Sequence, residues 1–574
     1  MYSVARPCEV RWVNLSQVVG LSTLRSFLRM ESHMSRCFAA ILLVTTLVAV
    51  EVPAVPALPD AQVYAVGVIP DLRGMLQHTS QALGAAGKTL PPGMLEMGLG
   101  GMLGDPGLTK LGNGPILVAA GPGLLVPSWG AILPYADAEA VIAAVSGAGL
   151  LAEAAPGGVA IGSAPDGPGL AKRMLPALDA VRAGMPADSD LRVVVGLDRL
   201  SQAYLPMAIA AMQGAASAPG LPAEAAGQRK LMLGMVAMLR TFAAQAGALR
   251  CDLTVSASGW KIDAVQALRP GVLADAIRPQ APSTDRPAER LGAGDGPAVV
   301  QMHGCMPPRI YEAMATLLQE TRRDPAAAAL IDESMVAMVR DCAGALTGSF
   351  AMRQGFAGSP MRQLGVAMVR DQAKAKALLD GARNLFSMGV LADLMRGMGV
   401  EMVFEPAVRH AAGLPVDRIS YRIDPAKLPP GQDAAMQAAM MPTQEMALAP
   451  TMWVWGSPSA EIDAALAGPR GAPRLAAEAL GAGWDLYADL DMALQMKMQF
   501  ALMAKQIPMF AGAFAEVPCG HPMRMAAALG EGRYRLVIEV PVEQVADFRN
   551  GFAGMQRGRH QPAEEPETPA APVF

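Results

Sequence analysis

Residues 249–268 read LRCDLTVSASGWKIDAVQAL, two runs in which apolar and polar residues alternate on either side of a short Ala-Ser-Gly turn. Alternation with a period of two is typical of strands that bury one face, so this stretch predicts a β-hairpin. Residues 523–540, MRMAAALGEGRYRLVIEV, show the same pattern around 530–532. A third hairpin is predicted at 345–370. The predicted sheet is therefore mainly antiparallel.

A second pattern consists of a strand, an acidic residue and then an apolar helix. It occurs at 63–72, 191–200 and 484–493, and more weakly at 368–371. An acidic side chain at this point can accept hydrogen bonds from the free N–H groups of the first helical turn, where its charge also suits the helix dipole. We therefore interpret four residues as helix caps: Asp71, Asp198, Asp371 and Asp491.

The first and second hairpins each close a longer block of strands and helices, which indicates two related halves, 58–278 and 298–556. The segment between them, 279–297, is rich in Pro, Gly and charge, and we interpret it as a linker or long surface loop. The Pro- and Glu-rich residues 557–574 are predicted to form a disordered tail. The fold class that follows is α+β, with two related halves of mainly antiparallel sheet and helices packed on one face.

The composition excludes several classes of protein. The 574 residues carry 47 Lys and Arg against 51 Asp and Glu, and 52% are apolar. This apolar content provides a large core and excludes a mainly disordered chain, which needs low hydrophobicity and high net charge. A net charge of −4 excludes a strong electrostatic binder of nucleic acid. Six Cys residues are too few for a scaffold held together by disulfides.

The segment 34–57 has the layout of a secretory signal peptide. A positive charge is followed by an apolar run, 38–50, and by small residues before a cleavage point at Leu58. The apolar run is too short for a comfortable membrane span. We expect an exported protein, periplasmic or extracellular, without a transmembrane span in the mature chain; an uncleaved N-terminal membrane anchor is the alternative. Residues 1–33 do not fit this layout, and we interpret them as upstream read-through or unstructured.

Apolar patterns at 307–322 and 326–343 predict two helices separated at Pro325, which favours an antiparallel pair. Cys305 precedes this break by about as many residues as Cys342 follows it, so the pair brings both thiols to the same end. In an exported protein these positions predict a disulfide between Cys305 and Cys342. Two buried thiols are the alternative.

No P-loop, His-Glu-x-x-His or Cys-x-x-Cys motif occurs, and we predict no catalytic residue and no cofactor. The chain contains 39 Met residues, and thioether sulfurs are soft ligands for Cu(I). His521, Met523 and Met525 are the candidate metal ligands, because alternate residues of a strand point the same way. Met as a filler of apolar cores is the alternative. Trp453 and Trp455 also share one strand face, where they either border a core or face a ligand.

Residues 58–72, LPDAQVYAVGVIPDL, resemble the start of uncharacterised exported bacterial proteins that carry a domain of unknown function. Those proteins are predicted to consist of tandem strand–helix modules behind a signal peptide. Residues 191–200 and 484–492 are similar to their internal repeats. The resemblance implies a non-enzymatic envelope protein and supplies no functional residues.

From these observations we expect an exported, non-catalytic protein that binds a protein or envelope partner, or stabilises an envelope assembly. A carrier of an apolar, lipid-like ligand is the first alternative, and the apolar excess supports it. A Met-rich copper-binding protein and an exported hydrolase with dispersed catalytic residues are the others. No interaction with nucleic acid is expected.

Overall fold

A computed structural model gives the fold of the chain. It describes residues 52–560 except for short internal segments. Those segments are 59, 104, 106–107, 124–126, 147–149, 164–165, 217–225, 282, 294–295, 329, 389, 398, 429–433, 435–437, 439–440 and 505–513. The predicted upstream segment, most of the predicted signal peptide and most of the predicted tail lie outside the described residues.

The first half of the chain alternates strands with helices. Its elements are β1 (Ala65–Ile69), α1 (Leu72–Ala85), α2 (Met94–Met102), β2 (Ile116–Gly121), β3 (Ser128–Leu133), α3 (Ala138–Ser146), β4 (Leu151–Ala155), β5 (Gly158–Gly162), α4 (Gly167–Met174), α5 (Leu178–Arg182), β6 (Leu191–Gly196), α6 (Leu197–Ala216), α7 (Ala226–Ala243), β7 (Ala246–Ser256), β8 (Gly259–Leu268) and α8 (Val272–Ala276).

The second half follows a similar sequence of elements and is longer. They are β9 (Ala298–Cys305), α9 (Pro308–Thr321), α10 (Pro325–Ala328), α11 (Glu333–Ala345), β10 (Leu346–Phe356), β11 (Ser359–Val369), α12 (Gln372–Met388), α13 (Val390–Gly397), β12 (Val400–Ala411), β13 (Leu414–Ile423), β14 (Gln444–Leu448), β15 (Met452–Ser457), α14 (Ser459–Ala467), β16 (Leu486–Leu490), α15 (Met492–Met503), β17 (Met523–Gly530), β18 (Arg533–Pro541) and α16 (Val542–His560).

All these strands belong to one antiparallel sheet, which confirms the predicted α+β class. Its spatial order is β4-β5-β3-β2-β1-β6-β7-β8-β18-β17-β16-β9-β10-β11-β15-β14-β13-β12. The halves join where β8 pairs with β18, with Gly259 opposite Pro541 and Ala267 opposite Arg533. Within the described residues, the free edges of the sheet are β4 and β12.

Read outward from the join, the two halves have the same strand order. The first half runs β8-β7-β6-β1-β2-β3-β5-β4, and the second runs β18-β17-β16-β9-β10-β11-β15-β14. The second half then continues with β13 and β12, a hairpin inserted between α13 and β14. This inserted hairpin is the main topological difference between the halves.

The three predicted hairpins are confirmed. They are β7–β8, β17–β18 and β10–β11. The predicted helix over 326–343 is instead divided into α10 and α11. Asp332 causes the second start, because its carboxylate accepts a hydrogen bond from the N–H of Met335 at 2.8 Å and so caps α11.

Separate apolar clusters fill the two halves. In the first, Val66 and Val68 of β1 pack with Leu117 of β2 and with Leu170 and Met174 of α4. A second cluster includes buried apolar side chains from β11, β13, β15 and α14. Burying a large aliphatic side chain contributes roughly 1.5–3 kcal/mol, so these clusters account for much of the stability of the sheet.

Ion pairs with little exposure to solvent link neighbouring strands at and near the pairing of β8 with β18. Arg192 on β6 is fully buried and forms an ion pair with Asp252 on β7. Its guanidinium also donates to three backbone carbonyls, so this charge is hydrogen-bonded as burial requires. On the next strands, Arg535 Nε of β18 donates to Asp263 Oδ1 of β8 at 2.9 Å. This second pair links the two halves directly.

The predicted linker is held by the second half. Gln280 contacts Asp485, the Ser283 hydroxyl lies 2.7 Å from that of Ser349, and Leu291 is buried in the second cluster. The predicted tail boundary at 557 falls inside α16, which continues to His560.

The last residues of the predicted signal peptide pack on the sheet. Val52 is buried against Val265 of β8 and Ala528 of β17, and the Ala54 carbonyl accepts a hydrogen bond from Arg250 at 3.4 Å. In the described part of the chain, no helix combines the length and apolar character of a membrane span.

Candidate functional site

One surface groove lies between α1 and residues 91–97, and has a volume of about 600 Å³. Met94 and Met97 on α2 border it and are 48% and 56% exposed. Arg73 of α1 also lines it, but its guanidinium donates to the carbonyls of Leu108 and Leu111. This arginine therefore supports the loop after α2.

The second groove depends on the inserted hairpin, and we call it the hairpin groove. It has a volume of about 440 Å³ and is lined by Glu405, Arg418, Ser420, Thr443, Glu445 and residues 456–459. This volume falls within the roughly 300–1,000 Å³ of small-molecule sites.

The strand register explains why these side chains meet. Glu405 of β12 lies opposite Arg418 of β13, which lies opposite Glu445 of β14, which lies opposite Gly456 of β15. Residues directly opposite one another point to the same face of a sheet. Gly456 is required by close packing, because a Cβ there would lie 2.4 Å from the Gln363 carbonyl on β11.

Glu445 forms the buried floor of the hairpin groove. Its side chain is 5% exposed; one oxygen accepts from Arg409 Nε at 2.7 Å and the other from Arg418 at 3.1 Å. Burial alone would raise the pKa of this carboxyl, but hydrogen bonds from the two arginines and Ser459 outweigh it, so the pKa lies below its ordinary value. Glu445 is thus ionised and fixes both guanidinium groups.

Other polar groups of the hairpin groove are unused by the protein. Within the described residues, the hydroxyls of Ser420, Thr443 and Ser457 form no hydrogen bond, and the carboxylate of Glu405 forms no ion pair. Arg418 is 37% exposed and keeps donors beyond the one that contacts Glu445. The hairpin groove therefore offers unpaired hydrogen-bond donors and acceptors to a ligand, while the Glu445 carboxylate beneath them is already paired with arginines.

A buried polar cluster lies where the predicted linker meets the second half. Gln280 Nε2 donates to Asp485 Oδ1 at 3.2 Å, and Oδ2 of Asp485 is buried without a hydrogen-bond partner in the described structure. Burial raises the pKa of Asp485 to about 8, and the hydrogen bond from Gln280 only partly opposes this. At neutral pH this side chain is mainly a neutral acid, which fits its unpartnered oxygen.

The candidate metal ligands lie at and just before the start of β17. His521 Nδ1 lies 2.9 Å from Asp547 Oδ2 of α16. Met523 and Met525 lie on β17 opposite Leu490 and Ala488 of β16. Among the residues described, no group of three or more His, Cys, Asp or Glu has the arrangement of a metal site.

Cys305 and Cys342 are both free thiols in the structure, so the predicted disulfide is not formed there. Burial raises the pKa of both thiols, that of Cys342 to about 12. Burial also raises the pKa of Tyr311, and the two cysteines add to this shift.

The four aspartates interpreted as caps differ in their surroundings. Asp491 accepts from the N–H of Leu494 at 2.8 Å, and Asp371 accepts from two N–H groups at the start of α12. Asp71 occupies the position before α1 but makes no side-chain cap hydrogen bond. Asp198 lies within the first turn of α6, because β6 runs directly into this helix.

The hairpin groove was missed by the sequence analysis. The polar residues of β13, DRISYR, and the glutamate of β14 were the available signal, because charges at alternate strand positions indicate a solvated face. Trp453 and Trp455, by contrast, border the apolar cluster formed with Leu346 and Leu378. Comparison with protein families, with curated proteins and with solved structures finds no match to this chain.

Proposed function

We propose that this chain is an exported, non-catalytic binding protein of the cell envelope. The observation that carries the proposal is the hairpin groove, in which unused hydroxyls and a carboxylate surround a neutralised floor. Preformed sites with a few placed polar groups are typical of ligand recognition. Its buried carboxylate, Glu445, is held ionised by two arginines, and its lining contains no His to activate a serine.

The described thiols give further support. Burial raises the pKa of Cys305, of Cys342 to about 12 and of Cys519 to about 11. The thiolate is the nucleophilic form, so these residues are inert thiols at neutral pH. The His521–Asp547 pair adjoins Cys519, but a thiol with a pKa this high is a poor nucleophile.

We also propose that the two halves arose by duplication of one unit, after which the second acquired β12 and β13. The shared strand order supports this, as do two matched positions. Asp190 and Asp485 directly precede β6 and β16, and a Gly-Ser pair ends both β5 and β15, as Gly162-Ser163 and Gly456-Ser457. The matched Asp190 differs from Asp485 in its contact, because it lies 2.8 Å from His78.

The test of the proposed function is turnover by the full chain recovered from the envelope fraction. A panel of chromogenic esters, phosphates, glycosides and peptides is expected to give no rate above a heat-denatured control. Reproducible turnover that a single substitution in the hairpin groove abolishes would contradict the proposal. Recovery of the chain only from the cytoplasm would contradict the export part.

A further inference from the structure

The hairpin groove exists in only one half, although most of its strands occur in both. Strand β14 is covered by β13, whereas β4, which has the same place in the first half, is a free edge in the described sheet. Glu405, Arg418 and Ser420 all belong to the inserted hairpin. The insertion therefore changes an edge of the sheet into one wall of a groove.

A matched pair of serines shows what the insertion changes. Ser163, which follows β5, accepts a hydrogen bond from the Trp129 N–H at 3.0 Å, and its hydroxyl also contacts the Trp129 carbonyl. Ser457, at the end of β15, lies opposite Gln363 but makes no side-chain hydrogen bond within the described structure. The hydroxyl that is used internally in the first half is thus unpaired at the end of β15, on the strand face of Trp453 and Trp455 and at the rim of the hairpin groove.

The available groups define a ligand chemistry. Hydroxyls both donate and accept, Glu405 only accepts, and the Arg418 guanidinium only donates. Glu405, an acceptor, lies opposite Arg418, a donor, on the neighbouring strand. This arrangement matches two neighbouring hydroxyls of a sugar ring, because a hydroxyl can donate to the carboxylate and also accept from the guanidinium. Arg409 pairs with Asp463 as well as with Glu445, so two carboxylates balance the two arginines and leave no excess positive charge to favour an anionic ligand.

We propose that the hairpin groove binds a neutral oligosaccharide. Glu405 and Arg418 contact adjacent ring hydroxyls, Ser420, two residues from Arg418 on the same face of β13, contacts the same ring, and Glu445 holds Arg418 in position. The two tryptophans of β15 belong to the apolar cluster, so binding relies on hydrogen bonds. This inference rests on the proposed function and specifies the ligand class of the same site.

The test is a printed array of neutral oligosaccharides probed with the full chain, followed by calorimetric titration of the sugar with the strongest signal. Glu405→Gln and Ser420→Ala are each expected to weaken binding, Glu405→Gln by about tenfold or more, because hydrogen bonds to charged groups are the stronger ones. Glu401→Gln is the matched control. This residue lies on the same strand, pairs with Arg422 outside the groove and is expected to leave affinity unchanged.

Three results would overturn the inference: no sugar retained at millimolar concentration, wild-type affinity in both groove variants, or preference for a lysine-rich peptide over every sugar. A different result would count against the proposed non-catalytic function. Release of shorter sugars during titration would contradict a non-catalytic role and leave saccharide binding in place.

Discussion

Replacing Asp485 with Asn is expected to stabilise the protein, and increasingly so as the pH rises. The pKa of the buried carboxyl is about 8, against a value of 3.8 for an exposed aspartate. The folded state therefore retains a proton that the unfolded state loses between about pH 4 and pH 8. Stability falls across this window as the pH rises, and Asn removes the dependence because it does not ionise.

The magnitude follows from the shift. About four pKa units at roughly 1.4 kcal/mol each give an upper value of about 6 kcal/mol well above pH 8. Urea unfolding followed by tryptophan fluorescence at pH 5 and pH 8.5 measures it, and Trp484 adjoins the site. We expect Asp485→Asn to be about 1.5 kcal/mol more stable than wild type at pH 5 and about 5 kcal/mol more stable at pH 8.5.

Asp190→Asn is the matched control, because Asp190 directly precedes β6 as Asp485 precedes β16. Its carboxylate accepts from the Val255 N–H at 2.7 Å and contacts His78, so the same substitution is expected to destabilise, by about 1 kcal/mol. An equal effect of Asp485→Asn at both pH values would refute the reasoning, because a structural change unrelated to ionisation has no such dependence.

Three further predictions concern the join, the groove floor and the N-terminus. Alanine at Asp263 and Arg535, singly and together, should give a coupling energy of about 1–3 kcal/mol in urea unfolding, and a value near zero would show that the pair does not help to hold the halves together. Glu445→Gln should cost about 1–3 kcal/mol at pH 7, because it replaces a buried carboxylate that accepts charge-assisted hydrogen bonds from two partly exposed arginines. Since the pKa of Glu445 is lowered, its contribution is present above the unfolded value and is lost on acidification, so the variant and wild type should converge at low pH; a constant difference down to pH 2 would contradict this. If the packing of Val52 is retained after export, the intact mass of the exported chain should include Val52, whereas a mass starting at Leu58 would show that these contacts are removed.

The hairpins could be predicted because their signal is local. In β7 and β8, apolar and polar residues alternate within a few positions of the turn, and the period of two depends on nearest neighbours alone. The pairing of β8 with β18 places Asp263 opposite Val537, which lie far apart in the chain. No local pattern specifies such a partner, so the order of strands across the join required the structure.

The groove could not be predicted for a related reason. Arg418 and Glu445 lie on different strands, separated by a long connection, and each alone has the composition of an ordinary solvated position. The ion pair between them forms only when β13 pairs with β14. The cysteines show a third case, because the break at Pro325 predicts that both thiols lie at the same end of a helix pair, whereas the disulfide predicted from it is not formed in the structure.

The shared ladder between β8 and β18 has a mechanical consequence. Two lobes joined by a flexible connection open and close about a hinge, whereas these are joined by nine consecutive residue pairs. Rotation of one half against the other would break the backbone hydrogen bonds between β8 and β18, so we expect the join to be rigid. Strands spaced about 4.8 Å apart give a span of roughly 80 Å along the sheet from β4 to β12. A movement of one end of the sheet would therefore be transmitted to the other through paired backbone rather than absorbed by a hinge between the halves.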